Sequence, residues 1–154
     1  MNSYLFFQIA LLMHLSGLVL IVGTDIVEFV AYRTIFKSYK TDKNAAINQI
    51  AMLSKLPVLL IIGAVLLILS GIAFVIITHN AFGHQLWFKI KLTLIVALAA
   101  NGFLMGRKNE EKLKQNLAVD APETGEAIRN MIKFCFIQLC MLFVVILLAV
   151  FKFN

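Results

Sequence analysis

The stretch from His14 to Tyr32 reads HLSGLVLIVGTDIVEFVAY, and it decides the fold. It belongs to an apolar run that begins near Tyr4 and exceeds the roughly 20 residues that a helix needs to cross a bilayer. With about 100° of rotation per helical residue, Asp25 and Glu28 fall within about 40° of His14. Because ionisable groups inside a membrane usually face the interior of a helix bundle, we predict that this stripe faces the other helices and that the remaining surface faces lipid.

The composition is typical of a membrane protein. Hydrophobic residues make up 61% of the chain and charged residues 14%, whereas soluble domains average about 45–50% and about 25%. The excess lies in four blocks at about residues 4–32, 53–78, 86–106 and 131–151, each long enough to span a bilayer. We predict an all-α polytopic membrane protein, a single four-transmembrane-helix bundle over residues 1–154, whose first block is not a cleaved signal peptide.

The net charge of +6 follows the expected membrane topology, and we do not interpret it as nucleic-acid binding. Eleven basic residues lie in or beside the first and third connections between the blocks, which are Arg33, Lys37, Lys40, Lys43, Lys55, Arg107, Lys108, Lys112, Lys114, Arg129 and Lys133. Cytoplasmic loops carry such an excess. We therefore predict a bacterial-type cytoplasmic (inner) membrane protein with both termini outside and with residues 33–55 and 107–130 on the cytoplasmic side.

Local signals predict where the helices begin and bend. Helix 1 is expected from about Ser3 to Phe36, and helix 2 from about Asn44 with a kink or membrane entry at Pro57. Residues 79–84 form an outer turn, and helix 3 runs from about Gln85 past Arg107 into the cytoplasm. Asp120 is the expected N-cap of helix 4, which begins near residue 121. The small residues Gly63, Ser70 and Gly71 predict a close helix contact.

The two cysteines give no sign of redox chemistry. Cys135 and Cys140 lie on the fourth span, five residues apart, and so point about 140° away from each other. A disulfide at that spacing within one helix is not feasible. Free cysteine behaves as a small hydrophobic residue, so we expect both to be packing residues.

Depth estimates at about 1.5 Å per residue define an inner polar layer. Asp25 and Lys133 lie at the same depth, about 12 Å from the bilayer midplane on the cytoplasmic side. Glu28 is about one turn closer to the cytoplasm, at the depth of Arg129 or Arg107. The simplest interpretation is a set of ion pairs near the interface. The alternative is a proton or cation path that uses Asp25 and Glu28.

An outer layer contains His14 and Lys91, which are nearly level at about 5 Å and about 8 Å outside the midplane. One interpretation is a histidine hydrogen-bonded to a neighbouring helix. The other is ligation of a haem iron, for which neutral imidazole is a common ligand. Gly17, about one turn from His14, would let a porphyrin edge approach the backbone, and Lys91 or His84 would be the opposite ligand. Asn101 lies at the edge of the Lys91 face as a further buried polar residue.

His14 early in helix 1 and the sequence WFKIKLTL (87–94), which opens helix 3 and contains Lys91, resemble parts of small four-helix membrane families. These are the HemJ-type protoporphyrinogen IX oxidases and the membrane domain of copper-resistance protein D. The resemblance implies a four-helix fold and haem b held at the positions of His14 and Lys91. After His14 the chain departs from the aromatic-rich HemJ-type pattern, and this departure bears on the expected oxidase activity more than on the expected cofactor. The additional histidines and methionines of the copper proteins are not evident either.

Two functions therefore remain as hypotheses. The first is an integral membrane protein that binds haem b, with redox activity or a link to porphyrin metabolism, and with His14 as ligand to the haem iron. The second is a non-catalytic membrane subunit or small transporter that uses Asp25 and Glu28. Whether the protein is an enzyme stays open, as does its electron donor or acceptor. Homo-oligomerisation is compatible with the large lipid-facing surface.

Overall fold

Helices account for all regular secondary structure in the residues that the computed structural model describes, 3–78, 85–119 and 121–151. They are α1 (Ser3–Tyr39), α2 (Lys43–Leu53), α3 (Leu56–Ile77), α4 (Leu86–Asn101), α5 (Arg107–Ala118) and α6 (Thr124–Val150), and a π-helical segment (Gly102–Gly106) joins α4 to α5. Four stretches are long and apolar enough to cross a membrane, namely Tyr4–Tyr39, Lys43–Ile77, Phe88–Leu117 and Thr124–Val150. The predicted fold class is thereby confirmed.

The second span consists of two helices in sequence. Asp42 caps α2, since its Oδ1 accepts a hydrogen bond from the backbone N–H of Ala45 at 3.1 Å. A short turn at Ser54 and Lys55 separates α2 from α3. Pro57 lies in the first turn of α3, where its missing N–H removes no helical hydrogen bond. The interruption predicted at Pro57 is confirmed, and α2 begins one residue before the expected start.

The third span continues without a break from α4 through the π-helical segment into α5, as predicted. The π-helical segment itself was not predicted. The fourth span begins three residues later than expected, at Thr124, whose Oγ1 donates a hydrogen bond to the carbonyl oxygen of Ala121 at 2.7 Å. Asp120, the expected N-cap, and the outer turn with His84 lie outside the described residues.

The order of the helices follows from their contacts. α1 packs on α3 and on α6, while α6 packs on α1 and on the rod formed by α4 and α5. Apart from the adjacent pair Ala127 and Ile128, the buried positions of α6 are three or four residues apart, as in the seam of a coiled coil: Thr124, Ala127, Ile128, Met131, Cys135, Gln138, Leu142 and Val145. α1 has a similar seam, and Asp25 and Glu28 belong to it.

The hydrophobic core lies at one end of the bundle, which we call the basic end because it holds the connections 33–55 and 107–130. Its buried residues come from α1, α2, α5 and α6, and are Tyr32, Ile35, Ala46, Ile50, Leu113, Ala127, Ile128, Met131 and Cys135. Elsewhere many large apolar side chains are exposed, as expected for surfaces that contact lipid. Cys135 packs in the core as predicted, whereas Cys140 is exposed.

α1 and α3 approach each other closely at two glycines. A Cβ atom added to Gly17 would lie 2.8 Å from the carbonyl oxygen of Gly63, and one added to Gly63 would lie 2.8 Å from Cγ1 of Ile21. The close contact predicted for the small residues of helix 2 is thus found at Gly63, and Ser70 is also buried. Gly71 faces open space. This close contact holds α1 and α3 side by side in the half of the bundle that is away from the basic end.

Candidate functional site

His14 is held by a buried serine on the neighbouring helix. Its Nδ1 lies 2.9 Å from Oγ of Ser70, and Ser70 is 1% exposed. Ser70 lies on α3 one turn before Phe74, whose ring meets the imidazole nearly edge-on with 5.6 Å between the ring centroids. Phe7 extends this aromatic wall, since its ring centroid lies 5.5 Å from that of Phe74. The imidazole is therefore oriented by both a hydrogen bond and packing.

The same serine offers His14 an acceptor for one of its ring protons. Ser70 Oγ lies 2.7 Å from the carbonyl oxygen of Leu66 and 3.1 Å from that of Leu67, and it can donate its one proton to either. When it does so, Ser70 accepts from His14, and Nδ1 carries the proton of the neutral ring. In that tautomer Nε2 keeps its lone pair and is the nitrogen able to bind a metal ion. Histidine ligands commonly donate their other N–H to a fixed acceptor in this way.

Lys91 comes from the first turns of α4. Its side chain and that of His14 are both half-buried. α4 packs chiefly on α6, whereas His14 lies where α1 packs on α3. The two predicted residues of the outer layer therefore come from helices that belong to different pairs. His84, the other predicted ligand, lies outside the described residues.

The role expected for Gly17 is wrong. Its open face was predicted to admit a porphyrin edge, but the backbone of α3 at Gly63 and the side chains of Leu66 and Leu67 occupy that space. The residue types still suit a haem iron, because a neutral imidazole nitrogen and a neutral amine are both able to bind it. A planar group at His14 would have to lie away from the Gly17 face.

The inner layer also differs from the prediction. Asp25 is 4% exposed and Glu28 8% exposed, so both are buried in the seam of α1. Among the described residues, neither carboxyl group has a cation within salt-bridge distance, and Oδ2 of Asp25 has no hydrogen-bond partner. The charge of a third carboxylate, that of Glu110 on α5, acts on Glu28. The expected ion pairs with Lys133, Arg129 and Arg107 are not formed.

Lys133 and Asn101 lie on the other side of α6. Both line an open cleft of about 220 Å³ between the third span and α6. Asn101 Nδ2 donates a hydrogen bond to Oε1 of Gln138 at 3.0 Å. Gln138 Nε2 in turn lies 3.4 Å from the carbonyl oxygen of Leu98. Asn101 therefore ties α4 to α6 and does not approach His14.

Two residues of these sites were missed by sequence reasoning. Ser70 was noted only as a small residue, although it follows Gly63 by seven residues and so lies on the same face of α3. Glu110 lies on the part of helix 3 that was expected to extend into the cytoplasm. It forms an ion pair with Lys114 at 2.6 Å, one turn along α5, while its charge also reaches Glu28. Heptad spacing could have indicated Ser70, but no sequence signal indicates that α5 faces Glu28.

The described residues contain no group of three or more His, Cys, Asp or Glu side chains arranged to hold a metal ion. The chain matches no protein-family model, no curated protein and no solved structure. The arguments for function therefore come from the chemistry of His14 and its surroundings.

Proposed function

We propose that this protein is an integral membrane protein that binds haem b, with Nε2 of His14 as an axial ligand of the iron. Four candidate membrane spans support the membrane assignment. The observation that carries the cofactor assignment is the hydrogen-bond chain from Nδ1 of His14 through Ser70 to the carbonyl oxygen of Leu66. With Nδ1 as the donor in this chain, Nε2 is the acceptor nitrogen and the ring is held in one orientation.

We propose Lys91 or His84 as the second residue that would hold the haem. Lys91 is half-buried and is the candidate that lies among the described residues; it would have to be the neutral amine, because an ammonium group has no lone pair. The resemblance of His14 and Lys91 to the HemJ-type proteins points to the same pair. Bound haem b would supply one-electron chemistry, so redox activity or a link to porphyrin metabolism is the role we propose.

The orientation that we propose follows from the charges. The basic end would face the cytoplasm of a bacterial-type inner membrane, because basic residues concentrate on the cytoplasmic side. His14 would then lie in the outer half of the bilayer. An electron donor or acceptor would reach the haem from the outer side or from within the membrane.

The test is a hemin titration of the detergent-purified protein, followed by absorption spectroscopy. We expect His14→Ala to lose haem binding. Ser70→Ala should weaken binding by about 10–100-fold, the usual effect of removing the partner that orients a ligand. His79→Ala is the matched control, since it removes a histidine that the proposal does not use. Full haem occupancy in His14→Ala would refute the assignment.

Substitution of each candidate for the opposite position separates the two possibilities. If Lys91 binds the iron, Lys91→Met should change the position of the Soret band while His84→Ala leaves it unchanged. The reverse pattern would assign His84. Circular dichroism of each variant checks that the helices are retained.

The buried carboxyl groups favour a second candidate function, that of a small proton or monovalent-cation transporter. Burying an unpaired carboxylate is costly, so Asp25, with its unpartnered Oδ2, is suited to take up a proton or a cation. Proteoliposomes containing a pH-sensitive dye test this candidate. Proton or sodium flux that disappears in Asp25→Asn would support it, and equal flux in wild type and variant would eliminate it.

A further inference from the structure

The cleft between the third span and α6 combines polar and apolar walls. Its lining residues are Asn101, Met105, Asn109, Asn130, Lys133, Phe134 and Ile137. Asn109 and Asn130 lie nearest the basic end, because α5 runs toward that end and α6 runs away from it. Lys133, Met105 and Phe134 follow, each about one turn further from that end. The cleft therefore has an amide-lined mouth near the basic end and apolar walls beyond it.

The far end of this cleft is closed by direct contacts. Asn101 donates its hydrogen bond to Gln138, which joins α4 to α6 at that level. The ring of Phe134 packs against Gly106, where an added Cβ would lie 3.1 Å from the ring. Gly106, at the end of the π-helical segment, thus packs on α6 at a level between Asn101 and Asn109. These two contacts hold the third span against α6 along the cleft.

Lys133 gives the cleft a positive charge that no carboxylate of the described residues pairs with. It lies within a candidate membrane span, yet none of the described carboxylates is within salt-bridge distance. Its side chain is exposed, and the exposed Arg129 lies one turn nearer the basic end on the same helix. A cation at this depth is stabilised when its long side chain reaches the interface or an anion there.

We infer that this cleft binds the phosphate-bearing headgroup of an anionic phospholipid. The positive charge of Lys133 attracts the phosphate, and the amides of Asn109 and Asn130 can donate hydrogen bonds to its oxygens. Ile137 is exposed and Phe134 half-buried, and both continue the cleft along α6 where an acyl chain would lie. Basic pockets between membrane helices on the cytoplasmic side bind anionic headgroups in this manner. The inference does not depend on haem binding.

A free phosphate ion has the same headgroup chemistry but does not use the apolar walls. The cleft opens along exposed side chains of a candidate membrane span, including Met105 and Ile137, and these would contact lipid. A lipid satisfies both the charged mouth and the apolar walls. For this reason we assign the occupant to the bilayer.

The experiment titrates the detergent-purified protein with phosphatidylglycerol, phosphatidylethanolamine or inorganic phosphate, and follows binding by thermal shift and native mass spectrometry. We expect phosphatidylglycerol to bind Lys133→Gln roughly five- to tenfold more weakly than wild type, since one interfacial lysine is lost. Asn109→Ala should also weaken binding, and Lys133→Arg should restore it. Lys112→Gln, which removes the same charge from an exposed position on α5, is the matched control and should bind as wild type does.

Three results would overturn the inference. Equal binding of phosphatidylglycerol and phosphatidylethanolamine would show that the anionic charge is not recognised. Unchanged phosphatidylglycerol binding in both Lys133→Gln and Asn109→Ala would show that the lipid binds elsewhere. Stabilisation by inorganic phosphate as large as that by phosphatidylglycerol would assign the cleft to a free anion.

Discussion

The two ends of this bundle are built in different ways. At the basic end four helices enclose large side chains, and Ile35, Leu113 and Ile128 are at most 1% exposed. In the half that contains His14, α1 and α3 meet through Gly17 and Gly63, and most large side chains point outward. Side-chain packing therefore holds the helices together at the basic end, while close backbone contact holds α1 against α3 in the other half.

This difference separates the packed core from the candidate site at His14. The core at the basic end does not involve His14, so a change at His14 need not disturb that core. Four predictions test this division, from the largest expected effect to the smallest.

Truncation in the core should have the largest effect. Ile128 is 0% exposed, so Ile128→Ala should lower the free energy of unfolding by about 2–5 kcal/mol through lost contacts and a cavity. Val144, on the same helix but 43% exposed, is the matched control. Val144→Ala should change it by no more than about 0.5 kcal/mol. Denaturant titration in mixed micelles gives both values, and equal losses would contradict the division.

Overpacking the glycine crossing should have the next largest effect. In Gly17→Ala the new methyl group would lie 2.8 Å from the backbone of α3, so we expect a loss of about 1–3 kcal/mol. Gly23 has no atom within 4 Å of the equivalent position. Gly23→Ala should therefore gain about 0.5–1 kcal/mol, the advantage of alanine in a helix. The same unfolding titration measures both variants. Equal stability of the two would contradict the close contact between Gly17 and α3.

The hydrogen bond between Asn101 and Gln138 should contribute less. Hydrogen bonds between membrane helices couple by about 0.6 kcal/mol on average. A double-mutant cycle with Asn101→Ala and Gln138→Ala should give a coupling energy of that size. A coupling energy of zero would mean that the 3.0 Å contact does not hold α4 to α6.

Asp25 and Lys133 should show no coupling at all. The cleft lined by Lys133 lies between α6 and the third span, and Asp25 has no cationic partner among the described residues. In a cycle with Asp25→Leu and Lys133→Leu, the free energies of unfolding should add within about 0.5 kcal/mol. A coupling of 1 kcal/mol or more would restore the ion pair expected from the sequence.

The spans were predictable because length and apolar composition alone determine whether a helix can cross a bilayer. The roles of Pro57 and Gly63 were also predictable, since Pro57 interrupts its own helix and Gly63 allows a close helix contact because it is small. The stripe of His14, Asp25 and Glu28 was inferred from helical periodicity, and the structure buries both acids in the seam of α1. These are properties of a single helix.

The failures concern which helices are neighbours. Depth estimates put Asp25 and Lys133 at one level, but depth does not specify rotation about the helix axis. Lys133 follows the buried Met131 by two residues and so points about 200° away from it. The contact between Gly17 and Gly63 and the neighbourhood of Glu28 and Glu110 likewise depend on how helices pair, which one sequence does not specify.

The most direct test of the central proposal is the absorption spectrum of the wild-type protein as purified from membranes, recorded before and after reduction with dithionite. If Nε2 of His14 binds haem b, the oxidised protein should show a Soret band that shifts and sharpens on reduction. A featureless visible spectrum that stays featureless after hemin is added would contradict the proposal, and the bond between His14 and Ser70 would then serve only to join α1 to α3.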